Sequence, residues 1–399
     1  MQRTLICLTA LGCLLGIACR ASSNADQPQS DSSKPAPPTQ PASGPGGSEY
    51  PHAGVTVNHF GEGDSECWVF LPKEPTPKEA PVVVFLHGWG GMKPGVYGGW
   101  IRHLVRRGNI VMYPRYQSNL RDRPDDMIKN AYQTVQTAWK KLAESPDIQP
   151  RRDHIAYFGH SLGGILAANF ASRGPALGLP PTGAVLLVEP SNGEPMIKRD
   201  DRVMKIESGA GIPADALVVA MVGDADKLAA EHAAKKIMAA IPQVPRANKN
   251  YLVVHSDSHT SPALAADHLS PACPDSGITD EHDDVAGDDD LIDLLGETNN
   301  EPKSADDRPG RRPGLLRKRL EERRTQRQGA AGGGRREDRK PVTDALDWGA
   351  YWKVGDGLLD ACFAGKNREY AVGDGAEVRS IGKCSDGSSA ASLEPRSIP

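Results

Sequence analysis

From residue 81 onward, short apolar runs alternate with windows in which apolar residues recur at helical spacing. The candidate strands begin at Val82, Ile110, His154, Gly183, Ala216 and Tyr251. Runs that are apolar on both faces fit strands that are covered on both sides, as in parallel sheets. Because helical windows separate them, the alternation predicts an α/β domain with a doubly wound, mostly parallel sheet.

Polar or glycine-rich stretches directly follow four of these candidate strands. They are HGWGG at 87–91, GHSLGG at 159–164, GDAD at 223–226 and SDSH at 256–259. The carboxyl ends of parallel strands meet at one edge of the sheet, where α/β proteins bind their ligands. We therefore expect these four stretches to form one site.

GHSLGG lies between a candidate strand and a helical window at 164–172. Gly159, Ser161 and Gly163 give the G-x-S-x-G pattern of a nucleophile elbow, in which the glycines remove Cβ atoms that would clash. In these residues the chain resembles the α/β-hydrolase family of serine esterases and lipases. The resemblance covers residues 50–275 and 341–385, implies an acyl-enzyme on Ser161, and implies neither a cofactor nor a metal.

The order Ser161, Asp226, His259 matches the family's order of nucleophile, acid and histidine. A serine hydroxyl needs a base near neutral pH and imidazole titrates in that range, so we expect His259 to be the base. Asp226 is expected to orient the imidazole and to stabilise the imidazolium. The resemblance places the oxyanion donors at the backbone N–H groups of Trp89 and Leu162.

Two other acidic residues compete with Asp226. Asp224 stands two residues earlier in the same stretch, but in similar sequences the acid falls three residues after the glycine, here Gly223. Glu189 ends another candidate strand and is expected to be a structural carboxylate.

Other histidines compete with His259. His255 belongs to a candidate strand, and His268 follows a proline farther along the chain, so both are expected to be packed or surface residues. His87 and His160 are expected to support the turn and the elbow.

The N-terminus has the pattern of an export signal, since Arg3 precedes an apolar run that ends at Ala18 and is too short for a membrane span. LLGIAC at 14–19 resembles a bacterial lipobox, although Gly16 stands where leucine is most common. The pattern predicts cleavage before Cys19, lipid attachment to that cysteine and anchoring to a membrane of the bacterial cell envelope. Secretion without lipid is the alternative.

Composition divides the rest of the chain. Residues 21–49 are rich in Ser, Pro, Gln and Gly, which predicts a flexible tether. Acidic residues are concentrated before residue 308 and basic residues from residue 308 onward. This pattern predicts a long charged insertion that does not pack. The predicted segments are a signal peptide at 1–18, the tether at 19–49, a core at 50–275, the insertion at 276–340, a helical return at 341–385 and a tail at 386–399.

The charged blocks indicate no specific partner. The acidic stretch DEHDDVAGDDD lacks the ordered ligand spacing of a calcium loop, and no aromatic residues lie among the arginines of the basic stretch. With a formal net charge of -4, the sequence gives no support to a nucleic-acid partner.

After signal cleavage and use of Cys19, four cysteines remain. An even number in an exported chain permits disulfides, and proximity in sequence favours a bond between Cys362 and Cys384 over one that involves Cys67 or Cys273. Their spacing fits no zinc pattern.

The expected function is cleavage of carboxylic esters, with a small-molecule or lipid-like ester as substrate. Polyester hydrolysis, peptide hydrolysis and acyl transfer are alternatives, because this fold supports each of them. A non-catalytic surface module that binds through its charged insertion is the alternative from a different functional class.

Overall fold

A computed structural model describes residues 31–228, 230–279 and 341–398. The predicted signal peptide, Cys19 and most of the predicted insertion, residues 280–340, lie outside the described residues. Within the described ranges, no helix combines the length and apolarity that crossing a bilayer requires.

The strands of the described residues form one large and one small sheet. In chain order they are β1 (Gly54–Phe60), β2 (Cys67–Lys73), β3 (Glu79–Ala80), β4 (Val82–Leu86), β5 (Ile110–Pro114), β6 (Gln149–Pro150), β7 (Ile155–His160), β8 (Thr182–Val188), β9 (Leu217–Gly223), β10 (Lys249–Val254) and β11 (Glu394–Pro395). The large sheet has the order β1-β2-β5-β4-β7-β8-β9-β10-β11, and β3 pairs with β6.

The large sheet is parallel through its centre. Every pair from β5 to β10 is parallel, whereas β1 with β2, β2 with β5, and β10 with β11 are antiparallel. All residues of β4, β7 and β8 are buried, which explains why these strands are apolar on both faces. The predicted doubly wound, mostly parallel sheet is confirmed.

Helices cover both faces of this sheet. They are α1 (Gly98–Arg106), α2 (Pro124–Ala143), α3 (Leu162–Arg173), α4 (Ala230–Ala239), α5 (Trp352–Ala364) and the short α6 (Ala376–Arg379). Side chains of α2, α3 and α4 join one apolar core, and those of α1 and α5 join the core on the opposite face. A π-helical stretch, Asp347–Tyr351, leads directly into α5.

The prediction of a flexible tether at 19–49 is wrong for residues 31–49, which pack on the domain. The backbone N–H of Gly46 donates to Asp356 Oδ2 at 2.6 Å, and the indole N–H of Trp348 donates to the Pro38 carbonyl at 3.2 Å. Near the start, the Ala36 N–H donates to Ser385 Oγ at 2.8 Å. These contacts hold the segment through its backbone. Its small number of apolar side chains therefore does not determine whether it is ordered.

Two further predictions need correction. Part of the predicted tail at 386–399 is β11, which extends the sheet by pairing with β10. The proposed bond between Cys362 and Cys384 is absent, and in the part of the chain that the structure describes the four cysteines are free thiols. Cys362 packs instead against Gly183, where an added Cβ would collide with its Sγ atom.

Asp356 should be a major contributor to stability. It is buried on α5, where it accepts from Gly46 N–H and lies 2.9 Å from His103 Nε2 and 3.1 Å from Arg107 Nε. Asp356→Ala leaves these donors buried without a carboxylate, so the free energy of unfolding should fall by about 3 to 5 kcal/mol.

Asp360→Ala is the matched control for this substitution. Asp360 also faces Arg107, at 3.4 Å, but it is partly exposed, so the loss should be about 1 kcal/mol or less. Urea denaturation of both variants measures the two losses in the free energy of unfolding. Equal losses would show that the buried cluster around Asp356 does not hold the N-terminal segment.

Candidate active site

Ser161 occupies the turn between β7 and α3 with φ of 54° and ψ of -122°. A non-glycine residue with positive φ is strained and persists only where its surroundings hold it. The Ser161 N–H donates to the Val188 carbonyl at 3.0 Å, and its own carbonyl accepts from Gly164 N–H at 2.8 Å and Ser191 N–H at 3.1 Å. These backbone bonds hold the serine at the carboxyl end of the sheet.

The glycines of the turn are required by close backbone contacts. A Cβ atom on Gly159 would collide with the carbonyl oxygen of Gly163, and one on Gly163 would collide with the carbonyl oxygen of Leu86. Neither backbone oxygen can move aside without breaking the sheet or the helix. The two positions therefore have the steric requirement that the sequence pattern predicts for a nucleophile elbow.

Ser161, His268 and Asp226 form a continuous line of hydrogen bonds. His268 Nε2 lies 2.8 Å from Ser161 Oγ, and His268 Nδ1 lies 2.5 Å from Asp226 Oδ2. The other carboxylate oxygen of Asp226 accepts from the N–H groups of Leu228, at 2.7 Å, and Ala230, at 3.2 Å. The three side chains are buried or nearly so, and this is the spatial arrangement of a serine nucleophile, a base and an orienting acid.

The expectation that His259 is the base is corrected by its position. Its side chain is 53% exposed and its Nε2 atom lies 3.9 Å from Asp386 Oδ2, on the surface. Asp257 and Leu264 pair across an antiparallel bridge, so the residues between them, including His259, form a loop that this bridge closes. The chain then returns and places His268 beside the serine.

One signal in the sequence distinguishes the two histidines. His259 lies in a run of small polar residues from Ser256 to Ser261, whereas His268 stands next to Leu269 and follows Leu264 and Ala266, all of which are buried. A base that touches a buried serine belongs in such an apolar context.

His255 and Asp224, which compete in the sequence for the roles of base and acid, pair with each other. His255 Nδ1 lies 3.2 Å from Asp224 Oδ2, and His255 Nε2 lies 2.9 Å from Glu394 Oε2, in a partly exposed cluster. Asp224 also accepts from Ser256 N–H. Asp226, the residue that the sequence favours as the acid, is the aspartate that reaches the histidine beside Ser161.

Asp226 is ionised despite its burial. Burial by itself would raise the pKa of its carboxyl, but the hydrogen bond and charge of His268, with the N–H groups of Ala230 and Leu228, hold the pKa below its ordinary value. A carboxylate with these donors is suited to stabilise an imidazolium.

Glu189 lies beside this carboxylate at the end of β8. It is fully buried with φ of 45°, and one of its carboxyl oxygens lies within 4.8 Å of ligand atoms of both Asp226 and His268. Burial, reinforced by the charge of Asp226, raises the pKa of Glu189 well above its usual range, which favours the neutral form of its carboxyl. The Nδ1 atom of His268 is already bonded to Asp226 Oδ2.

The expected oxyanion donors lie on well-fixed backbone. Leu162 is the first residue of α3, where N–H groups have no partner within the helix. Trp89 lies between two fixed peptides, because Gly88 N–H donates to Tyr97 Oη at 3.0 Å and Gly90 N–H donates to Gln117 Oε1 at 2.8 Å.

His87 and His160 support this region as neutral side chains. Burial lowers the pKa of each imidazole to about 3, so neither is protonated at neutral pH. The ring of His87 stacks on that of Tyr116 with centroids 4.0 Å apart, and its Nδ1 atom bonds to the Gly88 carbonyl.

Comparisons with known proteins give one family and several individual similarities. A family model described as Chlorophyllase matches residues 63–223, a range that includes Ser161. A non-reducing polyketide synthase, ascC, from Acremonium egyptiacum is 29% identical over 125 residues, which are 30% of this chain and 6% of that protein. This chain therefore spans only a small part of that protein's length.

Two solved structures are similar over half of the chain. One is a phosphonate-inhibited Esterase B from Lactobacillus rhamnosis, with 16% identity and a TM-score of 0.37 over 51% of this chain and 75% of that one. The other is carboxyl esterase 2 from the mycorrhizal fungus Tuber melanosporum, with 14% identity and a TM-score of 0.39 over 51% of this chain and 77% of that one.

Glu189→Gln should change how stability depends on pH. In the unfolded chain Glu189 loses its proton near the ordinary value of 4.5, whereas the folded protein retains it. Wild-type stability therefore falls as pH rises through this window, by at most about 1.4 kcal/mol per pH unit from this group. The variant lacks this loss, so its stability relative to wild type should increase from pH 4.5 upward.

Glu194→Gln gives a control with the opposite sign. The hydrogen bond from Lys236 lowers the pKa of Glu194, so its contribution is present at neutral pH and is lost on acidification. Denaturant unfolding at several pH values measures both differences. A Glu189→Gln difference that is constant with pH would contradict a protonated Glu189.

Proposed function

We propose that this chain is a serine esterase of the α/β-hydrolase family and that it hydrolyses carboxylic esters through an acyl-enzyme on Ser161. The observation that carries the proposal is the line of hydrogen bonds from Ser161 through His268 to Asp226. A nucleophile, a base and an orienting acid in this order can perform acyl transfer without a further group. The match to the chlorophyllase model supports the same class of reaction.

The proposed reaction follows from the proton positions. His268 Nε2 accepts the proton of Ser161 as Oγ attacks the ester carbonyl, and Asp226 stabilises the imidazolium. The backbone N–H groups of Trp89 and Leu162 stabilise the oxyanion. His268 then gives the proton to the departing alcohol, and a water molecule activated by the same imidazole releases the acid from Ser161.

Apolar side chains near the triad support an ester with an apolar part as the substrate. Leu228 and Leu269 pack together with the partly buried Trp89 and Met196. Leu269 follows His268 in the chain, Leu228 donates its N–H to Asp226, and Trp89 is the proposed oxyanion residue. An alkyl chain placed against these side chains would gain free energy from leaving water.

Other acyl-transfer reactions use the same residues. Polyester hydrolysis, peptide hydrolysis and acyl transfer differ in substrate rather than in the roles of Ser161, His268 and Asp226. We also propose export and lipid attachment at Cys19, which rest on the N-terminal sequence.

Ser161→Ala and His268→Ala should each lower kcat on a small soluble ester by at least about a thousandfold, because either change removes a member of the triad. His259→Ala is the matched control and should retain wild-type turnover, since its side chain lies on the surface. Hydrolysis of p-nitrophenyl butyrate measures all three, with thermal unfolding to show that each variant is folded.

Labelling with a fluorophosphonate probe separates an enzyme from a binding module. The wild-type protein should be labelled and Ser161→Ala should not. Loss of activity in His259→Ala with activity retained in His268→Ala would return the base role to His259. A folded wild-type protein that the probe does not label would favour the non-catalytic module.

The apolar cluster predicts a preference for longer acyl chains. From p-nitrophenyl acetate to the butyrate and hexanoate, kcat/KM should rise, by up to about fourfold for each methylene that becomes buried. Met196→Ala should reduce this rise and leave turnover of the acetate nearly unchanged. A steady fall in kcat/KM from acetate to hexanoate would contradict an apolar acyl site here.

A further inference from the structure

A chain of hydrogen bonds behind the triad connects the HGWGG turn to the backbone of His268. Gly88 N–H lies 3.0 Å from Tyr97 Oη, which lies 2.7 Å from His160 Nδ1. On the other side of the same ring, His160 Nε2 lies 2.7 Å from the carbonyl oxygen of His268. The Tyr97 and His160 side chains are both buried.

In this chain of hydrogen bonds, the groups at the two ends determine which atom donates and which accepts in every bond. The His268 carbonyl can only accept, so His160 Nε2 carries a hydrogen and donates it. Burial lowers the pKa of His160 to about 3, so the ring is neutral and Nδ1 has a free lone pair. Tyr97 therefore donates to Nδ1, and its oxygen accepts from Gly88 N–H. Each donor meets an acceptor, which fixes one tautomer of His160.

This chain of hydrogen bonds joins the turn at Gly88 to the backbone of His268, two parts of the site that are far apart in sequence. Gly88 precedes Trp89, the proposed oxyanion residue, so the Tyr97 hydroxyl fixes the peptide next to it. The contact is tight, because a Cβ atom on Gly88 would lie 3.0 Å from His160 Nδ1 and 3.2 Å from Tyr97 Oη. The Tyr97 ring also packs against Phe85, with centroids 5.1 Å apart.

We propose that Tyr97 and His160 are positioning residues that set the oxyanion turn and the backbone of His268 relative to each other. This inference rests on the proposed function. A displacement of either end moves the oxyanion donor relative to the imidazole, and a shift of well under 1 Å is enough to lower turnover. Neither side chain touches the reacting atoms, so both act through Gly88 and His268.

Tyr97→Phe removes one hydroxyl and keeps the ring, and His160→Phe removes both hydrogen bonds of the imidazole. We expect each variant to lower kcat by about ten- to a hundredfold, less than direct loss of an oxyanion donor, with KM changed by less than about threefold. Because both side chains act in one hydrogen-bond chain, the double variant should be about as slow as the slower single variant.

Thr182→Val is the matched control. Thr182 is buried at the start of β8, the opposite end of that strand from Glu189, and its hydroxyl donates to the Ala171 carbonyl at 2.9 Å. Like Tyr97→Phe it removes one buried hydroxyl, so its melting temperature should also fall, but kcat should stay within about twofold of wild type. A purely structural role for Tyr97 predicts the same behaviour in both variants.

Three outcomes would overturn the proposal. They are a kcat within twofold of wild type in Tyr97→Phe, an equal loss of kcat in Thr182→Val, and effects of Tyr97→Phe and His160→Phe that multiply in the double variant. If His160→Phe does not fold, the comparison of kcat between Tyr97→Phe and Thr182→Val still tests the proposal. Failure of the proposed function is separate, because it would appear as absence of ester turnover and fluorophosphonate labelling in the wild-type protein.

Discussion

The site depends on the conformation of Ser161, a non-glycine residue with positive φ between a central strand and a helix. Such a conformation costs on the order of 1 to 3 kcal/mol and needs a surrounding structure that over-determines it. Here Val188, Ser191 and Gly164 bond the peptide groups of the serine, and two glycines allow the adjoining backbone to approach. Because Val188 ends β8, the bond from Ser161 N–H to the Val188 carbonyl also connects the proposed nucleophile to the strand that leads into Glu189.

Two neighbouring carboxyl groups at this edge have opposite protonation states for a clear reason. Asp226 has the imidazole of His268 and two backbone N–H groups as donors, whereas burial and the charge of Asp226 dominate around Glu189. One carboxylate is therefore stabilised and the other kept neutral, so that a single negative charge faces His268. Pairs of acids whose surroundings separate their pKa values in this way are typical of acid–base sites.

The fold and the strained turn at Ser161 could be predicted from the sequence because their causes are local. Buried strands need apolar residues on both faces, and the turn at Ser161 needs glycines at fixed positions. The histidine that contacts Ser161 could not be predicted in this way, since His268 is placed by contacts with Ser161 and Asp226, which are far from it in the sequence. The packing of residues 31–49 has a similar origin, because its anchor at Asp356 lies more than three hundred residues away in the chain.

His268 is not held by regular elements of the core as Ser161 is, and it therefore needs support on two sides. Ser161 lies between a strand and a helix of the core, but His268 belongs to irregular chain after β10, where local hydrogen bonding fixes position less strictly. Asp226 holds the imidazole of His268, and His160 holds its backbone carbonyl. Because His160 precedes Ser161 in the chain, the turn that carries the proposed nucleophile also contacts the segment that carries the proposed base. The proposed base is therefore held at both its imidazole and its backbone although it lies outside the regular elements of the core.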